Sequence, residues 1–159
     1  MSGPPNEAGL SIAAEPADSA DAVWCVSQYY AELARRFDGG FDGANAGYAG
    51  TAQESGFEYF VVARIGGAAI GCGMLRSLDD GVAEVKRVWT SPDARGKGVA
   101  RAIMDRLEAV AADNGFRAIR LDTNRVLTEA RAFYDKRGYR VIGRYNDNPY
   151  ADHWFEKGL

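Results

Sequence analysis

The chain is poor in sulfur and nearly without histidine: two cysteines, Cys25 and Cys72, and one histidine, His153, stand among 159 residues. Structural zinc needs clustered Cys or His ligands, and a histidine-centred triad needs partners at the right spacing, so no metal and no such triad are expected. Without a disulfide framework, both cysteines are expected in a reducing compartment, packed as small apolar side chains. An excess of positive charge is also missing. The net charge of -3 leaves no general basic footprint for DNA or RNA, and an acidic surface more readily attracts a cationic partner. Long hydrophobic runs are absent as well: Phe60 to Gly73 is interrupted by Arg64 and rich in glycine, so it cannot cross a bilayer as a helix. Residues 1–9 lack a charged n-region and an apolar core, and they read as a flexible N-terminal tail of a cytoplasmic protein.

What is present has the balance of a soluble globular domain, 47% hydrophobic and 26% charged, long enough to bury one substantial core. Residues 10–159 read as a single domain without repeats or linkers. Leu10 to Glu15 is a short strand. Ser19 then offers cap chemistry for a helix whose apolar stripe is Ala22, Val26, Tyr29, Tyr30, Leu33 and Phe37, stopped by Gly39-Gly40. The stretch Phe41 to Gly56 is weakly periodic, with a short helix expected over Tyr48 to Glu54, and is expected to wall a pocket. Glu58 to Ile65 and Ala68 to Leu78 form a hairpin across Gly66-Gly67, and Asp79-Asp80-Gly81 turns the chain into the strand Val82 to Thr90. Gly71 and Gly73, flanking Cys72, predict a bulge or a close backbone approach.

Arg95-Gly96-Lys97-Gly98-Val99-Ala100 joins that strand to a helix marked by Val99, Ile103, Leu107, Val110 and Ala111. The first helical turn carries unpartnered N–H groups and the positive end of the dipole, and the glycines let backbone approach a phosphate. Arg95, Lys97 and Arg101 add positive charge. A Walker loop requires Ser or Thr after its Gly-Lys pair, where this chain has Gly98. A dinucleotide fingerprint requires a third glycine where it has Arg101. Beyond Asn114-Gly115, Ala118 to Asp122 reads as a buried strand parallel to the one before the loop. A helix follows over Glu129 to Arg137, then a strand from Tyr139 to Tyr145, a turn at Asn146-Asp147-Asn148-Pro149, and a last strand from Asp152 to Lys157.

Arg95, Gly98 and Ala100 match the pattern Arg/Gln, two residues, Gly, one residue, Gly/Ala. Ala130, Tyr134, Gly138 and Tyr139 match a second pattern at the expected distance. With the order of elements, these motifs make nearly the whole chain resemble the Gcn5-related N-acetyltransferase (GNAT) superfamily. That resemblance implies an α/β fold with a mixed, mostly antiparallel central sheet of about seven strands flanked by about four helices. It implies acetyl-CoA as cosubstrate, no metal, and a small-molecule or peptide amine as acceptor, which attacks the thioester directly in a ternary complex. Nucleic-acid and membrane partners are not expected, and sheet edges leave room for a homodimer.

The resemblance also assigns residues. Gly96, Lys97, Gly98, Val99, Ala100 and Arg101, with Arg95, would hold the diphosphate; the backbone of Val88 and Thr90 would pair with the pantetheine arm; Ala130 and Phe133 would flank it. The family often has Asn where this chain has Leu127, and Asn124 is the candidate replacement for that contact. Tyr134 is the candidate acid for the departing thiolate. Glu84, eight residues before Pro92, is the candidate base, on the central strand and facing the acceptor. Its competing reading is an ion pair with Lys86 or Arg76. Tyr145 and Tyr150, with Trp154, would border the acceptor, while Trp89 packs on the opposite face. A catalytically silent acyl-CoA-binding regulatory module shares all the cofactor residues and differs only in whether Glu84 and Tyr134 act.

Overall fold

The computed structural model describes residues 9–43 and 56–159. Seven strands form one sheet: β1 (Leu10–Ala14), β2 (Glu58–Ile65), β3 (Ala68–Ser77), β4 (Val82–Thr90), β5 (Ala118–Thr123), β6 (Arg140–Ile142) and β7 (His153–Gly158), in the spatial order β1-β2-β3-β4-β5-β7-β6. Every neighbouring pair is antiparallel except β4 with β5. Three α-helices accompany it among the described residues, α1 (Ala20–Arg36), α2 (Val99–Asp113) and α3 (Thr128–Lys136), rather than about four. The higher count included the short helix over Tyr48 to Glu54, which lies outside the described residues, as does the tail over residues 1–8. The single turn Pro92–Ala94 before α2 is a 3-10 turn.

The helices sort to the two faces by the alternation of the strands. Val61, Ala63, Leu75, Ala83, Val85, Ile119 and Leu121 meet Val99, Ile103, Met104, Leu107 and Ala111 of α2, with Tyr134 of α3 in the same cluster. On the other face Phe60, Val62, Cys72, Met74 and Trp89 meet Ala22 and Cys25 of α1. Ser19 starts α1 by accepting the Ala22 N–H at 3.1 Å, the expected cap.

Gly73 allows α2 to lie close against β3. A Cβ there would stand 2.6 Å from the Ile103 side chain and 3.1 Å from that of Leu107. Opposite it β4 gains one residue, because Cys72 pairs with Trp89 while Met74 pairs with Lys86, and Arg87 adopts φ +58° to absorb the extra length. Both features expected from the two glycines are therefore present, with the bulge on the facing strand.

β6 is shorter than the expected run to Tyr145. Tyr145 and Asn146 leave the edge of the sheet to hydrogen-bond buried carboxylates beneath it. That gain outweighs a few ladder bonds on an edge strand.

Glu108 on α2 joins the helices to the far half of the sheet. It accepts from Arg137 Nε at 2.8 Å, the Tyr139 hydroxyl at 2.8 Å and Lys157 Nζ at 3.1 Å. Burial works to raise its carboxyl, but these three donors outweigh it and hold the group below the usual glutamate range. A depressed carboxyl contributes stability that is full above its unfolded value, about 4.3, and is lost as pH falls through the folded one. Glu108→Gln is expected to cost about 1–3 kcal/mol at neutral pH. In urea titrations the gap to wild type should shrink below about pH 4; a constant gap would separate the cost from the charge.

Candidate active site

β4 and β5 pair only at Val82–Ala118, Ala83–Ile119 and Glu84–Arg120, and then part. The opening between them is the cleft of the molecule. Val85 to Val88 of β4 and Leu121 to Thr123 of β5 form its two sides. Ala130 and Tyr134 of α3 also line it, with Asn124 and Leu127 of the connecting loop. Tyr29, Tyr30, Phe37, Phe41 and Tyr150 add an aromatic wall, with Leu33 among them. The rings stack on one another, Phe41 with Tyr150 at 4.7 Å and Tyr30 with Phe41 at 5.0 Å between centroids.

The floor is polar and internally neutralised. Arg76 pairs with Glu84 at 2.7 Å, and Lys86 lies 3.0 Å from Asp122 and 3.7 Å from Glu84. Asn146 Nδ2 donates to Asp122 at 2.6 Å and to Glu84 at 3.2 Å, and Asn148 donates to Asp122. Asp122 and Lys86 line the cleft, whereas Glu84 is fully buried behind it and is not on its wall. Its carboxylate also accepts the Tyr145 hydroxyl at 2.6 Å. Tyr145 is thus drawn beneath the cleft, where burial and the adjacent carboxylate push its phenol well up.

Tyr134 is 8% exposed and lines the cleft. Burial raises its phenol well above the ordinary tyrosine value, so it is protonated across the physiological range. Val88, Asn124, Ala130 and Tyr150 share the cleft with it. Asn124 uses both ends of its amide within the chain, donating to Tyr150 O at 2.7 Å and accepting from Val126 N at 2.9 Å, which shapes the β5–α3 loop. Phe133 packs edge-on against Tyr134, and His153 lies on the surface beside Arg131.

At the carboxyl end of β4, Gly96 and Gly98 take φ of +81° and +78°, a backbone that disfavours larger residues. Gly98 is the N-cap of α2 and supplies no side-chain cap, so the first N–H groups of the helix face the loop. Lys97 and Arg101 are exposed beside it. Arg95 has a different task. Its Nε donates to Thr90 O at 3.0 Å, and its outer nitrogen pairs with Glu32 of α1 at 2.6 Å. Glu32 also accepts the Trp89 indole N–H at 3.2 Å and Arg36 at 3.3 Å, and Arg36 reaches Glu129 and Val126 O at the start of α3. Among the described residues two buried hydroxyls have no partner, those of Thr90 and Thr123.

A left-handed glycine loop on an uncapped helix, a parted strand pair and a protonated phenol in one cleft fit an acyl-CoA. The model of the acetyltransferase (GNAT) family matches residues 24–139. This chain belongs to that family. An IAA acetyltransferase of Azospirillum brasilense is 35% identical over 93 residues, which cover 58% of this chain and 60% of that protein. An N-acetylaspartate synthetase of Danio rerio is 33% identical over 89 residues, 55% of this chain and 32% of that one. The chain therefore matches less than two thirds of these relatives' length. In fold it is similar to a GNAT-family acetyltransferase from Staphylococcus aureus Mu50, with a TM-score of 0.79 at 15% identity over 94% of this chain and 99% of the other. It is also similar to the PaiA N-acetyltransferase of Thermoplasma acidophilum, solved with coenzyme A, with a TM-score of 0.62 at 19% identity over 94% and 99%.

Sequence reasoning found part of the floor of this GNAT site and missed the tether. The competing reading of Glu84, an ion pair with Arg76 or Lys86, matches the structure, but Asp122, Asn146 and Asn148 carry no signal of the floor and Glu32 none of the tether. Phe41, in the stretch expected to wall a pocket, and Tyr150, expected to border the acceptor, both line the cleft, whereas Tyr29, Tyr30 and Phe37 read only as the apolar stripe of α1. Among the described residues no cluster of His, Cys, Asp or Glu could hold a metal ion, and no helix is long and apolar enough to cross a membrane.

Removing Glu32 leaves the Trp89 N–H and the Arg95 guanidinium without their acceptor. Glu32→Ala is expected to lose about 2 kcal/mol and to shift the tryptophan fluorescence before unfolding. Unchanged stability with an unchanged spectrum would mean that the tether is dispensable.

Proposed function

We propose that the protein is an acetyl-CoA-dependent N-acetyltransferase that moves an acetyl group to a primary amine by direct attack in a ternary complex. The observation that carries this reading is the parted β4–β5 pair with the Gly96–Gly98 loop at its head and Tyr134 inside it. The cosubstrate supplies an activated thioester. The N–H groups at the start of α2, with Lys97 and Arg101, would hold its diphosphate. Arg95 supports this loop from behind, through Thr90 and Glu32, and contributes little free charge.

The backbone of Val88 and Thr90 has no ladder partner on the β5 side, so an extended pantetheine arm can add to β4 like a strand. A backbone N–H there can also stabilise the thioester oxygen as charge develops. Tyr134 is the donor to the leaving sulfur. The aromatic wall of Tyr30, Phe41 and Tyr150 suits an amine that carries apolar bulk.

A lysine-like amine has a pKa of about 10.4 in water and must lose a proton before it attacks. Asp122 reaches the cleft and is the better base, acting through water. Glu84, held behind the cleft by Arg76 and Tyr145, orients it indirectly, through Lys86 and Asn146. Neither cysteine lines the cleft, which favours direct transfer over an acetyl-enzyme.

Calorimetric titration with acetyl-CoA, with ATP and NAD as comparators, tests the cofactor, and thiol release with a panel of amines tests the reaction. Tyr134→Phe should keep acetyl-CoA binding within about twofold and lower turnover by about 100-fold. Equal turnover would remove Tyr134 from the chemistry. Binding without thiol release by the wild type would favour a silent acyl-CoA-binding module, and no binding by folded protein would end the acetyltransferase reading.

A further inference from the structure

Thr123 is the last residue of β5, 7% exposed, and its hydroxyl has no hydrogen-bond partner among the described residues. The fold gives no reason for a hydroxyl there. Valine has nearly the same shape, prefers strands at least as well, and would bury no polar atom. A buried unpartnered hydroxyl is a cost that native structures rarely carry without cause.

The location supplies the cause. Thr123 lines the cleft. By strand alternation it shares a face with Leu121, which packs in the same cluster as Tyr134. The other unpartnered buried hydroxyl, that of Thr90, ends β4. Both orphans therefore stand at the carboxyl ends of the two strands that part, and of the two Thr123 is the one that lines the cleft. No carboxylate needs Thr123: the Asp122 oxygens are taken by Lys86, Asn146 and Asn148. Tyr134, the other hydroxyl of this wall, likewise has no hydrogen bond among the described residues.

We infer that Thr123 is a second hydrogen-bond donor to the sulfur end of the acyl-pantetheine arm, beside Tyr134; this rests on the acetyltransferase reading above. The amine nitrogen forms its bond to the acetyl carbon, the carbon–sulfur bond breaks, and the electron pair goes to sulfur. Tyr134 yields its proton to that sulfur and regains one from the amine by way of Asp122 and water. Thr123 keeps its own proton and only shares it. Its contribution grows as sulfur becomes anionic, because hydrogen bonds to a charged acceptor are the stronger ones.

The test compares wild type, Thr123→Val and Thr123→Ser, using CoA and desulfo-CoA as calorimetric probes, with no acceptor amine required. Wild type should bind CoA about tenfold more tightly than desulfo-CoA. Thr123→Val should narrow that preference severalfold, leaving the part that Tyr134 supplies, and Thr123→Ser should restore it. Without ligand, Thr123→Val should melt a few degrees above wild type, since it removes an unpaired buried hydroxyl. A preference for CoA that is undiminished in Thr123→Val overturns the assignment. A lower melting temperature for that variant also overturns it, because the hydroxyl would then have a partner in the free protein. If wild type binds neither probe, the acetyltransferase reading fails first and is identified as the failure.

Discussion

The parting of β4 from β5 is the constraint on which the rest depends. Two parallel strands inside a sheet would ordinarily pair along their full length, since each unmade ladder bond leaves backbone donors and acceptors to be satisfied elsewhere. Here they pair over three residues. The bulge at Arg87 turns β4 away, and Gly73 lets α2 follow it closely. The result is an internal edge, protected from the association that threatens an outer edge. It lies at the carboxyl ends of the strands, where α/β sheets generally bind their ligands.

Holding that edge open requires something beneath it that neither collapses nor fills it. An apolar floor would close the cleft. Arg76, Lys86, Glu84 and Asp122 instead supply two charges of each sign, nearly dry, with Asn146, Asn148 and Tyr145 saturating the remaining oxygens. Such a cluster does little for stability compared with well-packed apolar side chains of equal volume. Its value lies in geometry. Each carboxylate is fixed by several donors at once, so Lys86 and Asp122 meet the cleft in a defined arrangement.

Legibility in the sequence followed the range of the interaction. Strand alternation, the α1 stripe, the Gly66-Gly67 hairpin and the Gly96/Gly98 loop are local patterns, and six of the seven strands agree with them closely. Tyr134 was found because its motif is local too. Glu84 shows the limit. Its place on β4 was readable, but Tyr145 and Asn146, which surround it, arrive from more than sixty residues away. The same holds for Arg95. Its spacing in the loop marks a phosphate site, whereas its partner Glu32 lies on a helix whose sequence gives no hint of the contact.

That partner ties the glycine loop to the helix that walls the cleft. Glu32 receives Arg95 from the cofactor loop and Arg36 from its own helix, and Arg36 continues to Glu129 and Val126 O at the start of α3. The same helix carries Tyr29, Tyr30 and Leu33 to the cleft. The glycine loop and the cleft wall are therefore linked through one buried carboxylate. Because the Trp89 indole shares that carboxylate and Trp24 packs edge-on against Trp89, the tether is set into the apolar core under α1. An interaction seated in packed side chains has few alternative arrangements, so the loop and the wall keep a fixed relation even though no backbone hydrogen bond joins them among the described residues.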